Sequence, residues 1–415
     1  MERVFITGRG LVTPLGNGLA ANEAALRAGT SGVVRVPEFV EHGLVSHVGG
    51  MVDEDPPIGD LVDRKKARFC PPTAAMSVYA VHEALREANI PLEEISSHRV
   101  ALIGGTATGN NREIYSQATQ YMASGKNLRV VNLYSVPRIM PSSAISNLSL
   151  IFGIKGETYD ISCACASSAI SVIVATRLIR SGQYDMVIAG GAEQLDWLAA
   201  LGFNAIRALS RKYNDAPERA SRPFDRGRDG FVLAGGAGYM ILESERSVKA
   251  RGARPISEIA GIASNSNGID MVVPDAASCA EVMMQSVVDA GLKPADIGYI
   301  NTHGTATSVG DPVEMRAIRQ VFGSTPAINS TKSQTGHMVG ATGSAEIIFS
   351  SLMLEKHFLS RSINLEDPEP EFSWADLLTE YREGTTGVRY ALSNSFAFGG
   401  SNASVVIGDC GNGQA

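Results

Sequence analysis

The apolar positions of this chain fall into short unbroken runs, with longer helical patterns between them. Val4–Gly8, Val100–Gly105, Met186–Gly191, Gly238–Leu242, Ile256–Ile262, Tyr299–Thr302, Ala327–Ser330, Val388–Ser393 and Ala403–Ile407 read as strands. Runs so uniformly apolar belong to a sheet covered on both faces. Helical patterns cover 22–27, 72–88, 165–180, 279–290, 312–322 and a segment ending near 356. Residues 30–70 read as irregular, and 205–235 as a long loop rich in Arg and Asp. Strands alternating with helices predict α/β layers. The second half repeats the rhythm of the first, which suggests an internal duplication too faint to claim residue by residue. No Pro/Gly/Ser linker separates domains.

Composition narrows the class without naming it. The 415 residues are 44% hydrophobic and 19% charged, ordinary for a globular enzyme. A net charge of −7 argues against bulk nucleic-acid binding. Five cysteines with no framework spacing fit a reducing compartment, and Cys163 and Cys165 lack the second pair a zinc site needs. No signal peptide precedes the first strand, and no apolar run approaches the roughly 20 residues that span a bilayer. A cytoplasmic protein is expected.

The chemistry starts at Tyr159-Asp160-Ile161-Ser162-Cys163-Ala164-Cys165-Ala166-Ser167-Ser168. It reads as a strand ending in cysteine, then at once a helix of small and apolar residues. In the first helical turn the free N–H groups and the helix dipole favour negative charge. Cys165 is therefore expected to have a lowered pKa and to act as a nucleophile. Read alone, both cysteines fit equally well as buried packing residues.

Three further stretches place unusual residues just after strands. They are Asn301-Thr302-His303-Gly304-Thr305-Ala306-Thr307 running on to Asp311 and Glu314, Ser330-Thr331-Lys332-Ser333-Gln334-Thr335-Gly336-His337, and Asn394-Ser395-Phe396-Ala397-Phe398-Gly399-Gly400. Sites in open α/β sheets gather beyond the carboxyl ends of strands. A nucleophile, two imidazoles, an ammonium and a Gly-rich turn there point to acyl transfer. Each has a plainer reading: a structural His, a surface Lys, a turn. A cysteine hydrolase needs one oriented imidazole, and gives no reason for a second His five residues after a Lys.

Together these motifs resemble the β-ketoacyl-[acyl carrier protein] synthase family of the thiolase fold, and in particular its bacterial synthase I branch. The resemblance runs from Met1 to about Ile407. Lys212-Tyr213-Asn214-Asp215 through Arg222-Pro223-Phe224-Asp225, and Arg228-Asp229-Gly230-Phe231, support that branch. It implies two duplicated βαβαβαββ halves, residues 1–250 and 251–410, in a five-layered αβαβα core. It also implies an acyltransferase that elongates a chain held on Cys165 by decarboxylative condensation with malonyl-carrier protein in fatty-acid synthesis.

The resemblance assigns roles. Cys165 matches the acyl-accepting nucleophile, and His303 and His337 the histidines that assist decarboxylation. Lys332 matches the lysine that holds their network, and Glu314, less surely Asp311, the acidic pair. Thr305 and Thr307 match the threonines that bind the pantetheine arm. Phe398 matches the gate, whose N–H joins that of Cys165 in an oxyanion hole, with Gly399 beside it. Thr108 stands at a position bordering the acyl pocket. Lys65, Arg68, Lys126 and Arg129 match positions that dock the acidic acyl carrier protein, acyl- or malonyl-loaded. No cofactor, metal or membrane is implied, and a homodimer formed through the central sheet edge is.

Departures and rivals accompany this. Ala397 replaces the usual first glycine of the gate turn, so a stiffer loop is expected. Cys163 stands where a small residue is usual, and Ile170 replaces a histidine. The rival readings are a ketosynthase of a specialised polyene or polyketide pathway, a non-catalytic chain-length partner, and a degradative thiolase. Cys165 with both histidines argues against the last two.

Overall fold

The apolar runs form strands whose order is the same in both halves of the chain. In the computed structural model, which describes residues 2–59, 61–96, 99–324 and 326–411, the first set is Val4–Thr13, Val100–Gly105, Thr158–Ile161, Met186–Glu193 and Gly236–Ser244. Across the sheet these lie in the order third, second, fourth, fifth, first. The second set is Ser257–Ser266, Tyr299–Asn301, Ala327–Asn329, Tyr390–Phe396 and Ser401–Asp409. It has the same order, with the two-residue strand Asp376–Leu377 added beyond its third member. In each set the second, third and fourth strands are parallel, and the fifth runs antiparallel to both its neighbours, the fourth and the first. The sets meet where Phe5 pairs with Glu258 and Ile6 with Ser257.

Helices complete five layers. Pro72–Glu87 covers the outer face of the first set, and Ala276–Asp289 that of the second. Between the sets lie Ser167–Arg180 and Thr342–Lys356, packed on each other. The second of these is buried at every position from Thr342 to Leu354, as a helix covered on all sides must be. Gly343 makes the approach possible: a Cβ there would lie 2.7 Å from Ala169 Cβ and 2.9 Å from Ser395 Oγ. Arg9, buried in the first strand, ties layers together through pairs of 2.7 Å to Glu87 on the outer helix and to Glu355 on the central one. Such a cation is tolerable inside because both charges and hydrogen bonds are matched. The expected thiolase-like α/β arrangement is therefore the one the chain adopts.

Several local expectations need correction. Residues 30–70 are not simply irregular: Val33–Arg35 pairs with Val48–Gly50, and Pro37–Glu41 and Arg64–Ala67 are short helices. The stretch after residue 106 holds helices at Asn111–Ala123, Ser135–Ile139 and Ser143–Phe152. The first of these buries no residue and leaves Ile114, Tyr115 and Met122 exposed, so it packs no stripe on the core. The helix predicted from Cys165 begins at Ser167, after a single 3₁₀ turn at Ala164–Ala166. Among the described residues no helix is long and apolar enough to cross a membrane.

Candidate active site

Cys165 lies in that 3₁₀ turn, between the strand Thr158–Ile161 and the central helix Ser167–Arg180. The turn is sharp because Ala164 takes φ +46°, a left-handed value unusual outside glycine. Ser167 braces it: its Oγ accepts from Cys163 N–H at 2.9 Å and donates to Ala164 C=O at 2.7 Å. Cys165 then faces a cavity of about 340 Å³ whose wall includes His303, His337, Thr305, Thr307 and Phe398. Cys163 is not among the lining residues.

Segments distant in sequence converge on the sulfur. Cys165 Sγ and one ring nitrogen from each of His303 and His337 all lie within 4.8 Å of one another. The two imidazoles stand edge to face, with centroids 5.2 Å apart. His337 Nδ1 meets Thr342 Oγ1 at 3.0 Å, which leaves Nε2 buried and without a partner. Burial, and then the nearby Lys332 ammonium, hold both imidazoles well below the usual histidine pKa. They are neutral at neutral pH. The trio is a donor set of the kind zinc accepts, yet the Lys332 charge, which bears on all three groups, opposes a cation there.

The expected low thiol pKa is not what the structure gives. Burial pushes the Cys165 thiol up to about 12, against the lowering influence of Lys332 and of the N–H groups of Phe398 and Cys165 itself. Desolvation outweighs the helix start because the cysteine sits before the helix, with its sulfur surrounded by protein groups. The thiol is therefore protonated at rest, and attack requires a base. The same two N–H groups aimed at sulfur are the expected oxyanion donors.

The acidic pair does not face the sulfur. Glu314 accepts from His303 N–H at 2.9 Å and Gly304 N–H at 2.8 Å, and from Asn394 Nδ2 at 3.2 Å. Asp311 accepts from the N–H groups of Thr305 and Ala306, both at 3.1 Å. Burial raises Glu314 to about 7 and Asp311 to about 6. They hold the backbone that presents His303 and the threonines. Lys332 Nζ binds Glu346 Oε1 at 2.7 Å with both side chains 1% exposed. Lys332→Ala should therefore cost about 3–5 kcal/mol, the loss seen when one partner of a buried pair is removed. Urea unfolding checks it, and a cost under about 1 kcal/mol would mean that Glu346 simply neutralises.

The gate turn is held by backbone bonds. Gly399 N–H donates to Met271 C=O at 2.8 Å and Asn267 N–H to Gly400 C=O at 3.0 Å. Gly400 has φ +77°, and a Cβ would meet Asn267 Oδ1 at 2.3 Å, so glycine is required. Ala397 has no left-handed φ, so its methyl group introduces no backbone strain. Phe398, 37% exposed, tilts toward Phe203 at 6.3 Å between centroids. Thr108 is not on the cavity wall: its N–H and hydroxyl are both bound to Glu193.

Sequence reasoning missed two buried acids. Glu346 is the only charge within the apolar stretch Ala341–Leu354, and Glu193 closes the apolar strand Met186–Glu193. Isolated acids in such runs were the available signal. Glu193 accepts from Ala107, Thr108 and Gly340 N–H, so it joins two loops beside the site.

Comparison with known proteins agrees with this geometry. Residues 1–247 match the family "Beta-ketoacyl synthase, N-terminal domain" and 256–366 its "C-terminal domain". The chain belongs to the beta-ketoacyl synthase family. Among beta-ketoacyl synthases it is 40% identical over 410 residues to 3-oxoacyl-[acyl-carrier-protein] synthase 1 of Haemophilus influenzae, covering 98% of this chain and 99% of that one. A beta-ketoacyl synthase of Burkholderia phymatum STM815 superimposes with TM-score 0.93 at 34% identity, covering 99% and 100% of the two chains. A type II polyketide ketosynthase, solved in complex with its acyl carrier protein, superimposes with TM-score 0.89 at 28% identity, covering 98% and 99%.

Proposed function

We propose that the chain is a 3-oxoacyl-[acyl-carrier-protein] synthase that condenses malonyl-carrier protein with an acyl chain on Cys165. The observation that carries this is the Cys165–His303–His337 cluster at the end of a cavity walled by Thr305, Thr307 and Phe398. In the first half-reaction the sulfur attacks the carrier thioester and the carrier thiol leaves with a proton. A neutral imidazole is available to take the Cys165 proton. The N–H groups of Cys165 and Phe398 receive the oxyanion, each such donor being worth about 2.7–4 kcal/mol in comparable sites. In the second, malonyl loses carbon dioxide and the enolate oxygen is held by imidazole N–H groups. The His337 tautomer in which Nδ1 accepts from Thr342 Oγ1 carries its ring proton on Nε2, the buried nitrogen with no other partner, and is the one that serves this step. The enolate carbon attacks the acyl carbonyl and expels Cys165 sulfur, giving a ketone longer by two carbons. Incubation with malonyl-carrier protein and acyl-carrier proteins of graded length tests this. Absence of any 3-oxoacyl product would sink it.

Fatty-acid synthesis is favoured over a specialised pathway because full-length identity reaches 40% with the synthase 1 relative and 28% with the polyketide one. Two surfaces fit the expected partners. The strand Thr158–Ile161 ends the sheet with its outer edge unpaired, and Tyr159, Leu128, Leu133 and Val136 are exposed. That is a suitable seat for a second copy, paired edge to edge. Lys65, Arg68, Lys126 and Arg129 are exposed, and Arg68 bonds to Tyr134 OH at 2.6 Å. Rim charges act on association rate. Lys65→Glu with Arg129→Glu should slow use of carrier-bound substrate roughly 10–10³-fold at low salt, while a small alkylator still modifies Cys165 normally. Unchanged use of carrier-bound substrate would move the docking surface elsewhere.

A further inference from the structure

Arg228 lies in the long loop between residues 205 and 235, only 9% exposed. Three of its four partners come from distant segments. Nε donates to Thr307 C=O at 3.2 Å and Nη1 to Asp225 C=O at 2.9 Å. Nη1 also pairs with Glu369 at 2.9 Å, and Nε lies 3.7 Å from Asp311 Oδ2. Asp311 Oδ1 holds the N–H groups of Thr305 and Ala306, and its Oδ2 that of Phe224 at 2.9 Å. Gly230 N–H holds Ala306 C=O at 3.1 Å.

The turn so gripped is strained. Ala306 has φ +67°, a conformation that costs a residue with a Cβ about 1–3 kcal/mol and persists only where its surroundings over-determine it. What the strain produces is a pair of hydroxyls, Thr305 Oγ1 and Thr307 Oγ1, 3.2 Å apart on residues of the cavity wall. We infer that Arg228 is a positioning residue for the arm of the carrier-bound substrate: with Asp311 it holds the Thr305-Ala306-Thr307 turn so that both hydroxyls are presented together. This rests on the reading above, in which those threonines bind the arm.

Without the guanidinium, Asp311 becomes a buried carboxylate with no cation beside it, and such groups neutralise by taking a proton. The protonated acid is a weaker acceptor for two N–H groups, and the turn relaxes. Burial already raises Asp311, while Arg228 pulls it down. The other charges nearby are Glu314 on the same helix, turned to the N–H groups of His303 and Gly304, and Glu369 on Arg228. Asp229 is bound to Ser210, Arg211 and Lys212.

The test is steady-state kinetics with malonyl- and acyl-carrier protein on the whole protein, Arg228→Gln, Arg228→Lys and Arg226→Gln. Arg226 pairs with Asp367 on the surface and serves as control. Arg228→Gln should raise KM about tenfold, the scale of one charge-assisted hydrogen bond, with a smaller fall in kcat. Arg228→Lys should recover part of the loss, because it keeps the charge but not the fork. Moving from about pH 6.5 to about 8.5 should narrow the gap for Arg228→Gln as Asp311 ionises. An unchanged KM, no recovery with lysine, or kcat and Cys165 alkylation falling in step with KM would overturn the proposal. If Arg228→Gln does not fold, Glu369→Gln must raise KM in the same direction, and an unchanged KM there overturns it as well. A wild-type protein unable to use carrier-bound substrate at all would instead overturn the enzymatic reading.

Discussion

Cys165→Ala should abolish transfer of an acyl chain from carrier protein to the enzyme, whereas Cys163→Ser should leave it. Loss of a covalent nucleophile costs on the order of 10⁶-fold in the comparable case of a catalytic serine. The two thiols are two residues apart, yet only Cys165 lines the cavity with the histidines, and only its sulfur receives the N–H groups of Phe398 and Cys165. Cys163 instead precedes the turn, its N–H spent on Ser167. Intact-mass and peptide mass spectrometry after incubation with acyl-carrier protein reads the outcome. The acyl mass should sit on the peptide through Cys165 and vanish in Cys165→Ala. An adduct that persists in that variant and disappears in Cys163→Ser would reverse the assignment.

The second large effect is a separation of the half-reactions. His303→Ala and His337→Ala should each lower condensation roughly 10²–10³-fold, the cost of removing one oxyanion donor, while acylation of Cys165 survives because the remaining imidazole beside the sulfur can still take the thiol proton. Both rings are neutral, because burial and Lys332 keep their pKa values well below that of free histidine. A neutral imidazole has one N–H to give, so each ring contributes a single donor to the enolate and losing either should be felt. The same depressed pKa values fix the pH behaviour. Neither ring charges as pH falls from about 8 to about 6.5, so condensation by a pre-acylated enzyme should not decline there on account of either histidine. Acyl-enzyme formation by mass spectrometry, carbon dioxide release and ketone formation measure the steps separately. Near wild-type condensation in either variant would require that histidine to be given another role.

The residues on which these predictions rest were legible in different degrees. Short apolar runs announced the strands, because a strand buried on both faces has no polar side to interrupt it. His303 and Lys332 followed such runs closely, and Cys165 the more polar strand Thr158–Ile161, so the site's place at strand ends was readable as well. Elements without a core-facing stripe were not: Asn111–Ala123 buries no residue, and the strands Val33–Arg35 and Val48–Gly50 are too short to show a period. The sequence by itself determined the alternation of strands and helices, the repetition of its two halves, and the identity of Cys165, His303, His337 and Lys332 as the residues to watch. Only the tertiary structure decided how they are charged and held. Whether a thiol is protonated depends on how much water its neighbours exclude, and those neighbours come from both halves of the chain. Glu346 pairs with Lys332, Glu193 bridges two loops and Arg228 grips Thr307 because folding places side chains from separate segments within hydrogen-bond reach, in a medium where an unpaired charge is costly.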